Sequence, residues 1–314
     1  TQGIGSRVNS GYGTFEITKI TDSQETPKNN TEILSVKFQL RGQLTHGRQY
    51  FDDWIPRPGN QNEWKPPGKP QAEVRPPAFR SMLRYWFRTL ALGVLEAEKV
   101  KDWELTIFGG IEHPAKMGMF QLEISDGVVV RDNNQQINSG QVTGTLNLKL
   151  RPSYQALQYK EKQLWGVQEL IKSLTWLMFH LGGVGQGARR PCHRRQNPER
   201  PNPYWRGSTL FYQENNQDWQ GFNSIDDVKE DFNFYLDCFY IGLLALEDLN
   251  FDYRNPRKAS RTVDWAEAID SNCRIVCVKG NMREFGKTPA LALLHQQATR
   301  NGNGYNRELC GSMG

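Results

Sequence analysis

From Ile33 to Leu44 the chain alternates: Leu34, Val36, Phe38, Leu40 and Leu44 share one side, and Ser35, Lys37, Gln39 and Arg41 the other. A period of two sorts side chains onto opposite faces of a strand, so this segment predicts a half-buried strand. From about Pro77 to Lys99 the period becomes helical. Met82, Leu83, Trp86, Phe87, Leu90 and Val94 make one apolar stripe, and Pro77 suits a first helical turn. The stretch 105–125 opens with LTIFGG, turns, and resumes alternation at Phe120, Leu122 and Ile124; Leu146, Leu148 and Leu150 mark another strand. Leu164, Val167, Leu170, Ile171, Leu174 and Met178 predict a second helix over 161–181. A third, strongly apolar helix is expected over 231–248, and a fourth over 288–298, after a strand at 273–278.

The order from residue 33 is strand, helix, strand, strand, helix, then a glycine-rich loop. That predicts an α+β fold, a ferredoxin-like or RRM-like βαββαβ unit with long insertions and a helical C-terminal extension. The free face of such a sheet commonly meets RNA. Ahead of it, residues 1–18 form a glycine-punctuated turn and a short strand at Thr14–Thr18, and 21–32 read as a polar linker. Residues 45–77 predict a long proline- and glycine-rich loop carrying Tyr50, Phe51, Trp54 and Trp64. A loop of that length is usually functional or disordered, and its aromatics favour function.

Composition narrows the class. The 314 residues are 37% hydrophobic and 23% charged, which suits a globular chain. No apolar run reaches the roughly 18 residues of a membrane span, so no membrane partner is expected. The five cysteines are scattered and odd in number, which argues against a disulfide framework. Cys273 and Cys277 fall on one face of an alternating segment and read as core thiols rather than metal ligands. With no signal peptide at the start, a cytoplasmic location is expected. The chain opens TQGIGSRVNSGYGTFEI without a methionine and stops at LCGSMG, so a piece of a longer polypeptide is expected.

The net charge of +5 is mild, but its distribution is uneven. Between His180 and Arg206 lie Arg189, Arg190, Arg194, Arg195, Arg200 and Arg206 against a single acid, Glu199. A local basic patch points to a polyanion. Within LGGVGQGARRPCHRRQ, Gly182, Gly183, Gly185 and Gly187 free the backbone to turn its amides inward as an anion nest. Arg189, Arg190, His193, Arg194 and Arg195 follow with planar forks for phosphate. On the first helix Arg80, Arg84 and Arg88 are spaced by four and stack along one face, with no acid between Pro76 and Glu96. Like charges so placed call for an anion over them, and phosphate is the expected one. The opening GIGSRVNSGYG repeats the device: Gly3 and Gly5 precede Arg7, and Tyr12 can stack a base.

Catalytic candidates are fewer. Asp52 and Asp53 sit in the long loop, where adjacent acids can hold a metal or position an attacking 2′-hydroxyl. His46 lies six residues before Asp52 and can serve as acid or base near neutral pH. GNMREFGKT at 280–288 imitates a phosphate-binding P-loop, but five residues separate its glycines where four are required.

These segments together resemble the RAMP superfamily of CRISPR effector proteins, especially the backbone subunits of type III complexes. PPAFRSMLRYWFRTLALG resembles the family's first-helix signature, and LTIFGG the element that follows that helix. LGGVGQGARRPCHRR is similar to the glycine-rich loop of the Cmr-type branch, with Pro191 and Cys192 where that branch carries a glycine pair. GIGSRVNSGYGTF is similar to the terminal glycine-rich loop of a different RAMP subunit. The resemblance covers residues 1–18 and about 33–195, and leaves 207–314 unmatched. It implies a fusion: the tail of one RAMP module at 1–18, a linker at 19–32, and a second module over 33–314.

The implied partners are CRISPR RNA, a target single-stranded RNA and other RAMP subunits or modules. The implied role is to grip guide phosphates, with 45–77 as a thumb-like loop that kinks the guide–target duplex. In cleaving members an aspartate of that loop cuts target RNA with a divalent metal. Asp52 or Asp53 with Mg2+ is then the candidate for a target-RNA endonuclease, although the Cmr-type branch is often non-cleaving. A third reading is a metal-independent guide-processing endonuclease that uses His46.

Overall fold

The alternation at 33–44 becomes an inner strand of an antiparallel sheet. A computed structural model describes residues 31–44, 46–51, 55–57, 60–65, 68–110, 115–131, 139–152, 161–181, 190–191, 205–206, 208–212, 219, 222–247, 252–258 and 268–273. In chain order its elements are β1 (Thr31–Gln43), β2 (His46–Phe51), β3 (Ile55–Arg57), β4 (Asn60–Lys65), β5 (Gly68–Ala72), α1 (Pro76–Ala91), α2 (Ala97–Phe108), β6 (Gly109–Gly110), β7 (Lys116–Met117), β8 (Phe120–Arg131), β9 (Ser139–Leu150), α3 (Glu161–Leu181), β10 (Arg190–Pro191), β11 (Trp205–Arg206), β12 (Ser208–Tyr212) and α4 (Ile225–Glu247). The fold is α+β.

The main sheet has the order β12-β1-β9-β8, and every pairing in it is antiparallel. Leu34, Val36, Phe38 and Leu40 of β1 are buried with Leu146, Leu148 and Leu150 of β9 and Phe120 and Leu122 of β8. Helices α1 and α3 lie against this apolar face. Phe79 of α1 meets Phe38 at 4.7 Å between ring centroids. The β8–β9 ladder shifts register between Ser125 and Val128, where Asp126 takes a positive φ of 54°. One extra residue on β8 is accommodated there as a bulge.

Two expectations need correction. The single helix expected over 77–99 is two helices. Leu92 caps α1: its N–H donates to Arg88 O, and Gly93 N donates to Leu90 O, each at 3.1 Å. A Cβ on Gly93 would lie 2.2 Å from the Ile269 carbonyl oxygen. Ile269 N donates to Thr89 O and Arg257 N to Gly93 O, each at 2.8 Å. Tertiary contacts therefore end α1, and the chain turns into α2, which buries Val100, Ile107 and Phe108. The first four residues of LTIFGG are the last turn of α2, and Gly109 leaves it with φ 81°.

The segment 45–77 is likewise more than a loop, because it carries two antiparallel ladders, β2 with β5 and β3 with β4. The ladders nest, the inner pair lying within the outer one along the chain. Pro56 and Pro70 sit in these strands. A two-stranded ribbon tolerates them because each strand has an open edge that needs no donor.

The helix expected over 231–248 starts earlier, at Ile225, behind a capping box. Ser224 N donates to Asp227 Oδ2 and Asp227 N donates to Ser224 Oγ, both at 3.0 Å. The Ser224 hydroxyl, which donates to Oδ1 at 2.7 Å, and then the Asn223 and Ser224 amides hold the Asp227 carboxyl below its usual range. Helices α3 and α4 meet backbone to backbone: a Cβ on Gly242 would stand 2.7 Å from Gly166 O. Tyr240 of α4 donates to Leu90 O of α1 at 3.2 Å, and burial pushes its phenol pKa up. The predicted helix at 288–298 and strand at Thr14–Thr18 lie outside the described residues, as does the strand at 273–278 beyond Cys273. Among the described residues, no helix is long and apolar enough to cross a membrane.

Candidate nucleic-acid interface

The arginine stripe of α1 runs onto the C-terminal end of α2. Arg80 Nη1 donates to Phe108 O at 3.2 Å, and Arg84 Nη2 donates to Gly109 O. The last carbonyls of a helix lack intrahelical partners and carry partial negative charge, so guanidinium groups suit them. Arg88 grips Glu104 of α2 with both ends of its fork, at 2.7 and 2.5 Å. Arg84 Nε stands 3.5 Å from the same carboxylate. The expectation that this stripe needs an outside anion is therefore corrected for Arg88 and Arg84. Their counter-charge is internal, on a helix that periodicity alone had merged with α1. The rings of Phe120 and Phe108 add cation–π faces, with Arg80 Cζ 5.4 Å and Arg84 Cζ 5.7 Å from the two centroids.

Glu104 is buried, and its two partners are partly exposed. Removing it strands two cations against the protein. Glu104→Ala should lower stability by about 2–3 kcal/mol, between the values for exposed and buried pairs. Denaturant midpoints check this, and a loss under about 0.5 kcal/mol would mean that solvent already carries the charges.

The N-terminal part of the stripe is in a different setting. Arg80, Arg84, Arg151 and Lys116 line a cleft of about 190 Å³, with Gly109 and Gly118 at its edge. Burial, then the neighbouring charges of Arg151 and Arg84, depress the pKa of Arg80 to about 10. Burial also lowers that of Arg84, against the opposing pull of Glu104.

The other candidate surface is the sheet face opposite α1 and α3. Register places Phe211, Gln39, Thr143 and Val128 in one row across β12, β1, β9 and β8. The next row holds Arg41, Gln141 and Val130, and the row on the other side holds Lys37, Thr145 and Ser125. Phe211 is 40% exposed, Val128 54% and Val130 58%, so this face is open to solvent. Lys37 and Arg41, on either side of Gln39, are exposed. Further along, Ser35 Oγ donates to Asn147 Oδ1 at 2.8 Å, and Lys149 pairs with Glu123 at 3.4 Å.

Alternation foretold the polar side of β1. It missed Phe211 and the two valines. The β-branched and aromatic run of β12 was the available signal for the first, and the bulge hid the second by moving Val128 and Val130 onto the open face.

Other candidates divide by place. Gly3, Gly5, Arg7, Tyr12, Asp52, Asp53, Gly183, Gly185, Gly187, Arg189, His193, Arg194 and Arg195 lie outside the described residues. His46 is in β2 opposite Ala72, and Arg190 is in β10 opposite Arg206. His180 is the penultimate residue of α3, just before the glycine-rich segment, and its ring stacks on Trp176 at 3.8 Å. Among the described residues, no cluster of three or more His, Cys, Asp or Glu could hold a metal ion. No protein-family model matches the chain, and no curated protein matches it.

Proposed function

We propose that this chain is an RNA-binding module of ferredoxin-like architecture that grips guide RNA in a type III CRISPR effector, as a RAMP module of the Cmr-type branch within a larger fusion. The observation that carries this reading is the open sheet face. The elements of the main sheet run strand, helix, strand, strand, helix, strand, and their order is β12-β1-β9-β8. Helices take one face. The other exposes Phe211 and Val128 in a row with Gln39 and Thr143, with Lys37 and Arg41 on either side. Unpaired bases stack on such aromatics, while flanking cations meet their phosphates. The glycine- and arginine-rich segment 182–195 follows α3 and leads toward β12, the strand that bears Phe211. On this reading its arginines supply further phosphate ligands.

The module's partners on this reading are the guide, the target RNA paired to it, and adjoining RAMP modules. Two kinds of variant separate stacking from charge in one salt titration with single-stranded RNA. Phe211→Ala should cost about 1–3 kcal/mol of binding with little change in salt slope. Replacing Arg189, Arg190, Arg194 and Arg195 with alanine should lower the log–log slope by roughly 2.8, at roughly 0.7 for each phosphate contact. Unchanged affinity in the first and unchanged slope in the second would overturn the reading. Purified protein should also carry RNA of defined length.

A further inference from the structure

The cleft beside the N-terminal part of α1 gathers cationic side chains from three elements. Arg80 and Arg84 reach it from α1, Arg151 from the end of β9, and Lys116 from β7. Among the described residues that line it, none is acidic. Glu104 lies on the far side of Arg84 and is already held by Arg88. The Nε atoms of Arg84 and Arg151 are buried and have no hydrogen-bond partner among the described residues. A buried donor without a partner is costly, and three guanidinium groups around one space repel one another. Arg80 and Arg84 are explained by the carbonyls of Phe108 and Gly109 that they bond. No such account covers Arg151, whose side chain is directed toward two other cations.

At the edge of the cleft two backbone segments pass in contact at Gly109 and Gly118. A Cβ on Gly118 would stand 2.5 Å from Ile107 O, and one on Gly109 would stand 2.7 Å from Gly118 N. Only bare backbone fits at these two positions. The cleft holds about 190 Å³, room for a tetrahedral oxyanion and attendant water. Arginine forks on several sides match the oxygens of such a group.

We propose that this cleft binds one phosphate group of the RNA strand, with Arg151, Arg80 and Lys116 as its ligands. The proposal rests on the RNA-binding reading above and assigns one contact within it. The phosphate is either an internal phosphodiester or a terminal monoester.

Arg151→Met is the variant of choice, since it removes no hydrogen bond at Nε and takes away a repelling charge. In chloride the variant should melt no lower than wild type. In inorganic phosphate at matched ionic strength, wild type should gain several degrees and the variant clearly less. Salt titrations then use one RNA sequence made with a 5′-phosphate and with a 5′-hydroxyl. The variant should lose roughly 0.7 of slope, the share of one phosphate contact. Loss on both RNAs assigns the cleft to an internal phosphodiester; loss on the 5′-phosphorylated RNA alone assigns it to the terminal group. Wild-type binding with slopes unchanged by the variant overturns this proposal and leaves the RNA-binding reading standing, whether or not inorganic phosphate still shifts the melt. Failure of wild type to bind either RNA overturns both. A variant that melts lower in chloride shows Arg151 to be structural and also overturns the assignment.

Discussion

Phe108→Ala should lower the stability of the fold by about 3–5 kcal/mol, the usual cost of emptying a buried phenylalanine site. The ring is 2% exposed and stands 5.6 Å from Phe87 of α1 and 5.5 Å from Phe120 of β8. It is the joint between two helices and the edge strand of the sheet. Its backbone carbonyl accepts from Arg80, and the next residue's carbonyl accepts from Arg84. Loss of the ring therefore loosens the end of α2 on which both arginines are seated. The variant should lose the phosphate-dependent rise in melting temperature along with its stability. Denaturant midpoints and the paired melts read the two effects. A loss below about 1 kcal/mol would mean that the surrounding core closes over the gap.

That joint also explains what the sequence could and could not reveal. The helix signature at 76–91 and the LTIFGG element read as two separate motifs. In the fold they are one device, because Arg80 and Arg84 bond the carbonyls of Phe108 and Gly109. Spacing within a helix foretold that Arg80, Arg84 and Arg88 share a face. It could not foretell Glu104 opposite them, because that pairing depends on a turn at 92–96 set by contacts with Arg257 and Ile269, more than 160 residues away. The strands with strict alternation, β1 and the first half of β8, were legible, as was α3 to within its ends. The second half of β8 was not, since one bulged residue at Asp126 reverses which side chains face solvent. The ribbon at 46–72 was hidden by its prolines, which argue against a strand inside a sheet but not in a two-stranded arm. Arg151 carried no sequence signal at all. It looks like an ordinary residue at the end of a strand, and only the cleft gives it a role.

Trp176→Ala should cost about 3–5 kcal/mol and also change how stability depends on pH. Trp176 is 1% exposed; it stacks on Tyr235 of α4 at 4.4 Å and on His180 at 3.8 Å. A carbonyl can only accept, so the 2.7 Å contact between His180 Nδ1 and Trp176 O places the ring proton on Nδ1. Burial pushes the His180 pKa down from 6.5 to about 4, against the smaller opposing pull of that bond. In the unfolded chain the ring takes up a proton near pH 6.5, whereas in the fold it stays neutral until about pH 4. The unfolded state thus binds more protons across that window, and stability falls as pH drops from about 6.5 toward about 4. His180→Gln should flatten this part of the stability–pH curve relative to wild type. Trp176→Ala admits water beside the ring and should return the His180 pKa toward 6.5, flattening the same part. Chemical denaturation at a series of pH values tests both, and a wild-type slope retained in either variant would remove His180 as its source. The residue after next is Gly182, where the glycine- and arginine-rich segment begins. A neutral histidine held in an aromatic stack adds no cation of its own at the end of α3, so on the proposed RNA-binding reading the charge comes from the arginines that follow.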